Sequence, residues 1–463
     1  MKTLLTNGII VTAVDTYRAD LLIEDEQIAL IGPNLGNLIE ADKVIDASGK
    51  YIMPGGIDVH THLAMPFGGT VSCDNFYTGH RGAAFGGTTC HVDFAIQTKG
   101  ESLTHAVEDW QQNRANGNAV IDYSFHVAIT DLNDKTMAEI GTLPELGVTT
   151  IKLFLAYKNV LQVDDTTLFQ AFQQAGENGV LTMIHAENGD VIDILIQKAL
   201  ASGNTSPLWH ALTRPPEAEA EATNRAIRLA SMADAPVYIV HLSECGALDA
   251  LVQAKARGEM AYAETCTQYL FRTKDDLDKP DFEGAKYVCS PPLREPEDSE
   301  ALWQALSTGE LSVLSTDHCP FNFAEQKVLG KDDFSKIPNG CPGIEDRLMA
   351  FYEHGVNSGR ISLNRFVELN ATNPAKFMGM YPQKGTIAIG SDADIVIWDP
   401  EAKHTISAAT HHMNIDYNLY EGMEVRGKPE KVYSRGRLLV DGDDFLGEKG
   451  SGRFVKRSQA ILL

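Results

Sequence analysis

Eight short apolar runs, each followed by a segment with helical spacing, fill the middle of this 463-residue chain and limit the folds open to it. The runs end at His60, Phe94, Phe125, Phe154, His185, His241, Glu264 and Asp317. Thr88 to Phe94, Ile121 to Phe125, Thr150 to Phe154, Val180 to Ile184 and Val237 to Val240 are rich in Val, Ile, Thr and Phe. That is the composition of strands buried on both faces in a parallel sheet. Leu103 to Asn113, Thr166 to Glu177 and Ala218 to Met232 have helical spacing between them. Eight strand–helix units over roughly 300 residues have the size and rhythm of an α/β fold of the (β/α)₈, TIM-like type, whose chemistry sits where the strands end.

The two ends of the chain have a different texture. Thr3 to Val14 is apolar on both sides of the turn dipeptide Asn7-Gly8, and Asp20–Ile23 and Gln27–Ile31 follow as short β segments. Near the other end, Thr386–Gly390, Asp394–Trp398, Lys431–Ser434 and Arg437–Val440 read as strands, the last two split by Arg435-Gly436. A smaller β-sandwich built from both ends is expected, with residues 1–52 and 381–463 flanking a catalytic barrel at 53–380.

Composition removes several function classes. Asp plus Glu number 63 against 39 Lys plus Arg, a formal net charge of -24. Nucleic acid and anionic membrane surfaces need a basic face, so neither is expected as a partner. No stretch is apolar for long enough to span a bilayer. The segment Met1 to Asp15 lacks an uninterrupted signal-peptide core, and the seven cysteines form no CxxC pair. The expected location is the cytoplasm.

The first run closes with Gly56-Ile57-Asp58-Val59-His60-Thr61-His62. Residues i and i+2 of a strand face one side, so His60 and His62 point together, as a metal-ligand pair or as a strand-end polar cluster. His185, His241 and Asp317 fall at the ends of three further strands, and Lys152 lies within Ile151-Lys152-Leu153-Phe154-Leu155. Residues at the ends of five barrel strands converge at the C-terminal face. One catalytic zinc uses three protein ligands, so four histidines and an aspartate divide more naturally between two metals. Lys152 as a cation beside two dications would be repelled and costly to bury. Either its amine carries a carboxyl group as a carbamate, or it reaches a nearby acid such as Asp122.

Longer strings carry a family resemblance. Met53-Pro54-Gly55-Gly56-Ile57-Asp58-Val59-His60-Thr61-His62 and Lys384-Gly385-Thr386-Ile387-Ala388-Ile389-Gly390-Ser391-Asp392-Ala393-Asp394 resemble signatures of cyclic amidohydrolases. Pro66–Thr70, Lys152–Asn159, His185–Asn188, His210–Glu217, Ser290–Arg294 and Pro338–Gly340 are similar to the dihydropyrimidinase and D-hydantoinase family within them. The resemblance implies a barrel with a β-sandwich and two divalent metal ions per subunit, usually zinc. It implies that His60, His62 and Asp317 bind one metal and His185 and His241 the other. Lys152, as N6-carboxylysine, would bridge them together with a hydroxide. Tyr157, Ser290 and Asn339 match substrate-binding positions, the last two acting through backbone groups. A homotetramer is implied as well.

The reaction implied is hydrolysis of a ring amide in a hydantoin or 5,6-dihydropyrimidine to an N-carbamoyl amino acid. Asp317 would move the proton and Tyr157, otherwise a barrel-rim aromatic, would stabilise the oxyanion. Met65, Phe67, Phe154 and Leu161 could line a pocket for the ring substituent, or simply pack under a loop. Dihydroorotase resembles this fold but usually has an Arg two residues after the H-x-H, where this chain has Ala64. That disfavours an acidic ring and leaves a small neutral cyclic ureide. Allantoinase is the alternative activity. A metal-free assembly protein is the alternative from another class, opposed by the presence of every ligand. Cys319 is expected to be a packed neutral thiol, and Arg294 to sit in an ion pair. Arg453-Phe454-Val455-Lys456-Arg457 is either a subunit contact or a solvated tail.

Overall fold

The structure, a computed structural model, describes residues 1–463. All eight expected runs are parallel strands of one sheet: Gly56–Thr61, Thr88–Ile96, Asp122–Ala128, Thr150–Phe154, Leu181–His185, Val237–Ile239, Ala261–Cys266 and Val313–Ser315. They pair in chain order. The ring closes just beyond the strand ends, where His62 N donates to His318 O at 2.9 Å. Nearly every strand residue is buried because side chains fill the inside of the barrel and helices cover the outside.

The helices follow from local signals. Asp164 caps Asp165–Glu177 by accepting from Thr167 N, and Leu168, Ala171, Phe172 and Ala175 give it a buried stripe. Pro216 begins Pro216–Met232 at a position where its missing N–H removes nothing. The expected helix Leu103 to Asn113 is α-helical only to Asp109 and widens into a π-helical stretch at Trp110–Ala115. There Trp110 turns inward to donate to Asp93 at 3.3 Å, and the Arg114 guanidinium lies 3.9 Å over its ring.

Outside the barrel, a four-stranded sheet runs in the order Gln27–Gly32, Asp20–Glu24, Lys2–Thr6, Lys43–Asp46. A seven-stranded sheet joins both chain ends, pairing Tyr51–Pro54 with Ile395–Thr405 so that Ile395 opposes Pro54. Leu5, Ile10, Leu21, Ile23, Ile52 and Ile395 pack in one cluster that spans the two sheets. Asn7-Gly8 is not a hairpin turn. It passes the chain from one sheet to the other, and a Cβ on Gly8 would come within 2.4 Å of Ile52. Arg435-Gly436 is the expected hairpin turn, with φ of 44° and 71°. Thr386–Gly390 is not a strand, because the chain turns at left-handed glycines 385 and 390 (φ 81° and 91°).

The basic piece of the tail is docked on the barrel, with Val455 and Arg457 buried and Arg453 and Lys456 exposed. Tyr123 N donates to Arg453 O, Val455 N to Tyr123 O, and Arg457 N to Gly147 O, which lays residues 453–457 along the N-terminal end of the barrel. Arg457 is buried there, its guanidinium on Ser124, Phe125 O and Thr150. No helix is long and apolar enough to cross a membrane.

Candidate active site

The first strand presents His60 and His62 inward, while Thr61 between them turns outward to His91 Nδ1 at 2.7 Å and Asp93 at 2.9 Å. His241 and Asp317 each lie two residues past their strands, Val237–Ile239 and Val313–Ser315. Both adopt left-handed backbone, φ 42° and 50°, as do Ala64 and Tyr157 at 51° and 64°. Non-glycine residues pay for that conformation in strain, and such residues gather at functional sites. The outcome is one cluster. His60 Nε2 and His62 Nε2 lie 3.2 and 3.1 Å from Asp317 Oδ1. His185 Nδ1 lies 2.9 Å from His241 Nε2. The rings of His60 and His241 are 5.3 Å apart, so the two groups adjoin. Lys152 Nζ sits among them, 3.1 Å from His60 Nε2, 4.2 Å above the Phe94 ring and 4.9 Å from that of Phe154.

Lys152 does not pair with Asp122, which instead holds Lys384 at 2.8 Å and Arg435 at 2.9 Å. Burial lowers the Lys152 ammonium to about 8, against the pull of Asp317 and Glu264. Burial likewise lowers the pKa of all four histidines. Two carboxylates behind the cluster orient two of the rings. Glu264 Oε1 lies 2.5 Å from His60 Nδ1, and Glu187 Oε2 lies 2.7 Å from His185 Nε2. With the outer nitrogens as donors, His60 Nε2 and His185 Nδ1 are left bare and face inward.

This donor set fits divalent cations. Nitrogen and carboxylate ligand atoms of His60, His62 and Asp317 lie within 4.8 Å of one another, and all three residues are buried. The buried Nδ1 atoms of His62 and His241 have no partner. Imidazole with carboxylate is a zinc-type set.

Beside the cluster opens a cavity lined by Tyr157, Ser290 and Asn339 on one side and by Met65, Phe67, Phe154 and Leu161. His62, Lys152, His185, His241 and Asp317 also line it, and His60 lies beneath. The structure therefore brings together every candidate metal-ligand and substrate-contact residue named from the sequence. Burial, with Glu187 nearby, pushes the Tyr157 phenol up to about 12, so it remains a donor at neutral pH. Asn339 Nδ2 donates to Ser290 Oγ at 3.0 Å, tying two cavity loops. Cys319 lines the cavity as a thiol that burial raises far above its usual range, hence neutral. Arg294 pairs with Glu219 at 2.8 Å and does not reach the cavity.

The sequence reading missed Glu264 and Glu187. Glu264 had appeared only as the end of a run, and Glu187 stands at i+2 from His185, where both side chains share a face. It also left His210 and Arg214 without a role. His210 Nε2 lies 2.8 Å from Cys289 O and 3.3 Å from Ser290 Oγ, and Arg214 connects it back toward Glu187.

Comparison with known proteins agrees with this geometry. The profile of the Amidohydrolase family matches residues 51–439. The chain is 52% identical to the D-hydantoinase of Geobacillus stearothermophilus over 460 residues, 99% of this chain and 97% of that one. It is 50% identical to the D-hydantoinase of Streptomyces coelicolor over 465 residues, 100% of this chain and 99% of that one. Among solved structures, the dihydropyrimidinase from Brevibacillus agri superposes with a TM-score of 0.97 at 54% identity, covering 99% of both chains.

Proposed function

The chain belongs to the amidohydrolase family, and from that premise we propose that it hydrolyses a ring amide of hydantoins or 5,6-dihydropyrimidines to N-carbamoyl amino acids. The observation that carries this reading is the convergence of His60, His62, His185, His241 and Asp317 around a buried Lys152, beside a cavity that ends on Tyr157. His60, His62 and Asp317 would hold one divalent cation and His185 and His241 a second, with zinc the first choice for the nitrogen-rich set. Lys152, as the neutral amine, would add carbon dioxide at Nζ and release a proton, giving an anion able to offset the charge of both cations in place of an unpaired buried ammonium. Bound there, the cations supply Lewis acidity and hydroxide near neutral pH.

The rest falls to the chain itself. Asp317 accepts the proton of the attacking water and delivers it to the leaving ring nitrogen. The new C–O bond forms first, with the carbonyl electron pair moving onto oxygen; return of that pair expels the protonated ring nitrogen and leaves a carboxylate and a ureido group. Tyr157 O–H donates to the carbonyl oxygen as charge grows on it. Backbone groups at Ser290 and Asn339 pair with the polar edge of the ring. Met65, Phe67, Phe154 and Leu161 form the apolar wall against its substituent. The same reading assigns catalysis to residues 53–380 and the supporting sandwich to 1–52 and 381–463, in a cytoplasmic homotetramer.

Initial rates with hydantoin, a 5-aryl hydantoin, dihydrouracil and allantoin at matched concentrations test it. Hydantoins or dihydrouracil should give the highest kcat/KM. Allantoin as the best substrate would overturn the assignment of the ring while leaving the site chemistry intact.

A further inference from the structure

Beneath the two loops that carry Ser290 and Asn339 lies a cation that the reaction above does not use. Lys327 is fully buried, at the start of the short turn Lys327–Gly330. It pairs with no carboxylate. Burial lowers its pKa, and cysteine thiols are among its neighbours. Its ammonium donates to Val288 O at 2.9 Å, to Pro338 O at 2.8 Å and to Gly340 O at 2.8 Å. An ammonium has three N–H groups, so its whole donor set is spent on main-chain carbonyls.

Those carbonyls are not arbitrary ones. Pro338 and Gly340 flank Asn339, and Val288 stands two residues before Ser290. Gly340 N also donates to Val288 O at 2.9 Å, which joins the loops at the same point. The close fit leaves little room to slide, since a Cβ on Gly340 would lie 2.2 Å from Cys319 O. The carbonyl of Pro338 belongs to the same peptide unit as the N–H of Asn339. A charge-assisted bond to that oxygen polarises the unit and makes its N–H a better donor.

We propose that Lys327 is a positioning residue for substrate binding: its three-carbonyl cradle sets the separation of the Ser290 and Asn339 loops and strengthens the Asn339 N–H aimed at the ring. This rests on the ureide-binding role given above to those two loops. Burying an ammonium without a counter-charge is unfavourable. The substrate loops are where that cost is returned.

The experiment compares metal-replete wild type with Lys327→Met and Lys327→Gln, using hydantoin and dihydrouracil and recording metal content, Tm, kcat and KM. Lys327→Met should raise KM by at least about tenfold while kcat stays within about threefold, the signature of lost ground-state binding. Metal content should equal that of wild type. Lys327→Gln keeps two N–H groups and should raise KM less. A purely structural lysine would lower Tm and leave KM of the folded enzyme unchanged. That result, or failure of both variants to fold, overturns the proposal. Should wild type turn over neither ureide, the substrate reading fails on its own. A crystal structure of Lys327→Gln then decides for Lys327, where unmoved loops would overturn its role.

Discussion

Two places in the molecule concentrate buried charge, and they treat it in opposite ways. At the junction of barrel and sandwich, Asp122, Asp392 and Asp394 bring carboxylate oxygens within 4.8 Å of one another. The chain supplies its own cations there. Lys384 Nζ lies 2.8, 3.0 and 2.6 Å from the three, and Arg435 lies 2.9 Å from Asp122. At the barrel mouth, His60, His62 and Asp317 form a cluster of the same compactness. Lys152 is the one ammonium lining it, and it faces a histidine nitrogen and two phenyl rings. Buried nitrogens of His62 and His241 have no partner. A compact donor cluster therefore does not by itself mark a metal site. What distinguishes the mouth is that its one ammonium forms no ion pair with a carboxylate, so binding free energy can be recovered from outside.

The largest expected effect follows from that contrast. Chelation should abolish activity, and zinc, manganese or cobalt should restore it. Lys152→Ala should lose both metal and activity, with short carboxylic acids recovering part of each. Native mass spectrometry in bicarbonate should show one added carboxyl group on wild type, lost on acidification. Counting metal sharpens the comparison, because wild type should hold two ions per chain and Asp392→Asn should keep both. Full activity in verified metal-free protein would break it, as would an ion lost with Asp392→Asn.

Removing one of the junction's two cations should act on stability alone. Lys384→Met strands buried carboxylates, a change of about 3–5 kcal/mol. Denaturant unfolding should show that loss while metal content and KM stay at wild-type values. The pH dependence has a definite sign. Burial alone would lower the Lys384 pKa, but Asp394 and Asp122 overcome it and hold the ammonium well above its usual range. Its contribution is thus complete below the unfolded value of about 10.4 and fades only above it. Burial raises Asp122 but Lys384 and Arg435 prevail, so its pKa is lowered, and its contribution is lost in acid. The gap between variant and wild type should hold from roughly pH 6 to 10 and narrow below pH 4. Loss of metal at unchanged stability would merge the two regions into one.

Tyr157→Phe probes the mouth without touching its donors. Loss of one oxyanion donor typically lowers kcat by about 10²–10³. Metals should remain, and KM should change little. Because the phenol is pushed up to about 12, it stays protonated across the working range. The variant's pH–rate profile should keep the wild-type shape below about pH 10. A change confined to KM would assign the hydroxyl to ground-state binding.

Most of the barrel could be read in the sequence because strands buried on both faces are apolar throughout, and the eight runs stand out against helical spacing. The cluster at the mouth was legible because His60, His62, His185, His241 and Asp317 sit at or just past the ends of runs. The left-handed turns that aim His241 and Asp317 were not, since nothing local in those residues demands positive φ. Lys384 and Asp394 belonged to a recognisable string, yet their purpose depends on Asp122, which lies 262 positions away from Lys384. The sheet switch at Asn7-Gly8 escaped because the same dipeptide serves a hairpin equally well, and only the packing of Ile52 against Gly8 tells them apart. Lys327 gave no signal at all, because its partners are main-chain carbonyls that carry no sequence identity.

The smallest effect concerns the cations around the mouth other than Lys152, which have partners within the chain. Arg114 stacks on Trp110 and donates to Ala64 O. Arg214 is held between His210 and Glu187. Lys158 pairs with Asp190 at 2.8 Å. Each already has a partner, whereas at the junction two cations meet buried carboxylates. A substrate charge left unpaired in a desolvated cavity is costly. Dihydroorotate should therefore show a kcat/KM at least about 10²-fold below that of dihydrouracil, equivalent to roughly 2.7 kcal/mol. The two rings differ by that carboxylate alone, so the ratio isolates it. Equal rates would mean that a cation at the mouth is available after all, and the contrast between the two regions would then lie in geometry rather than in charge.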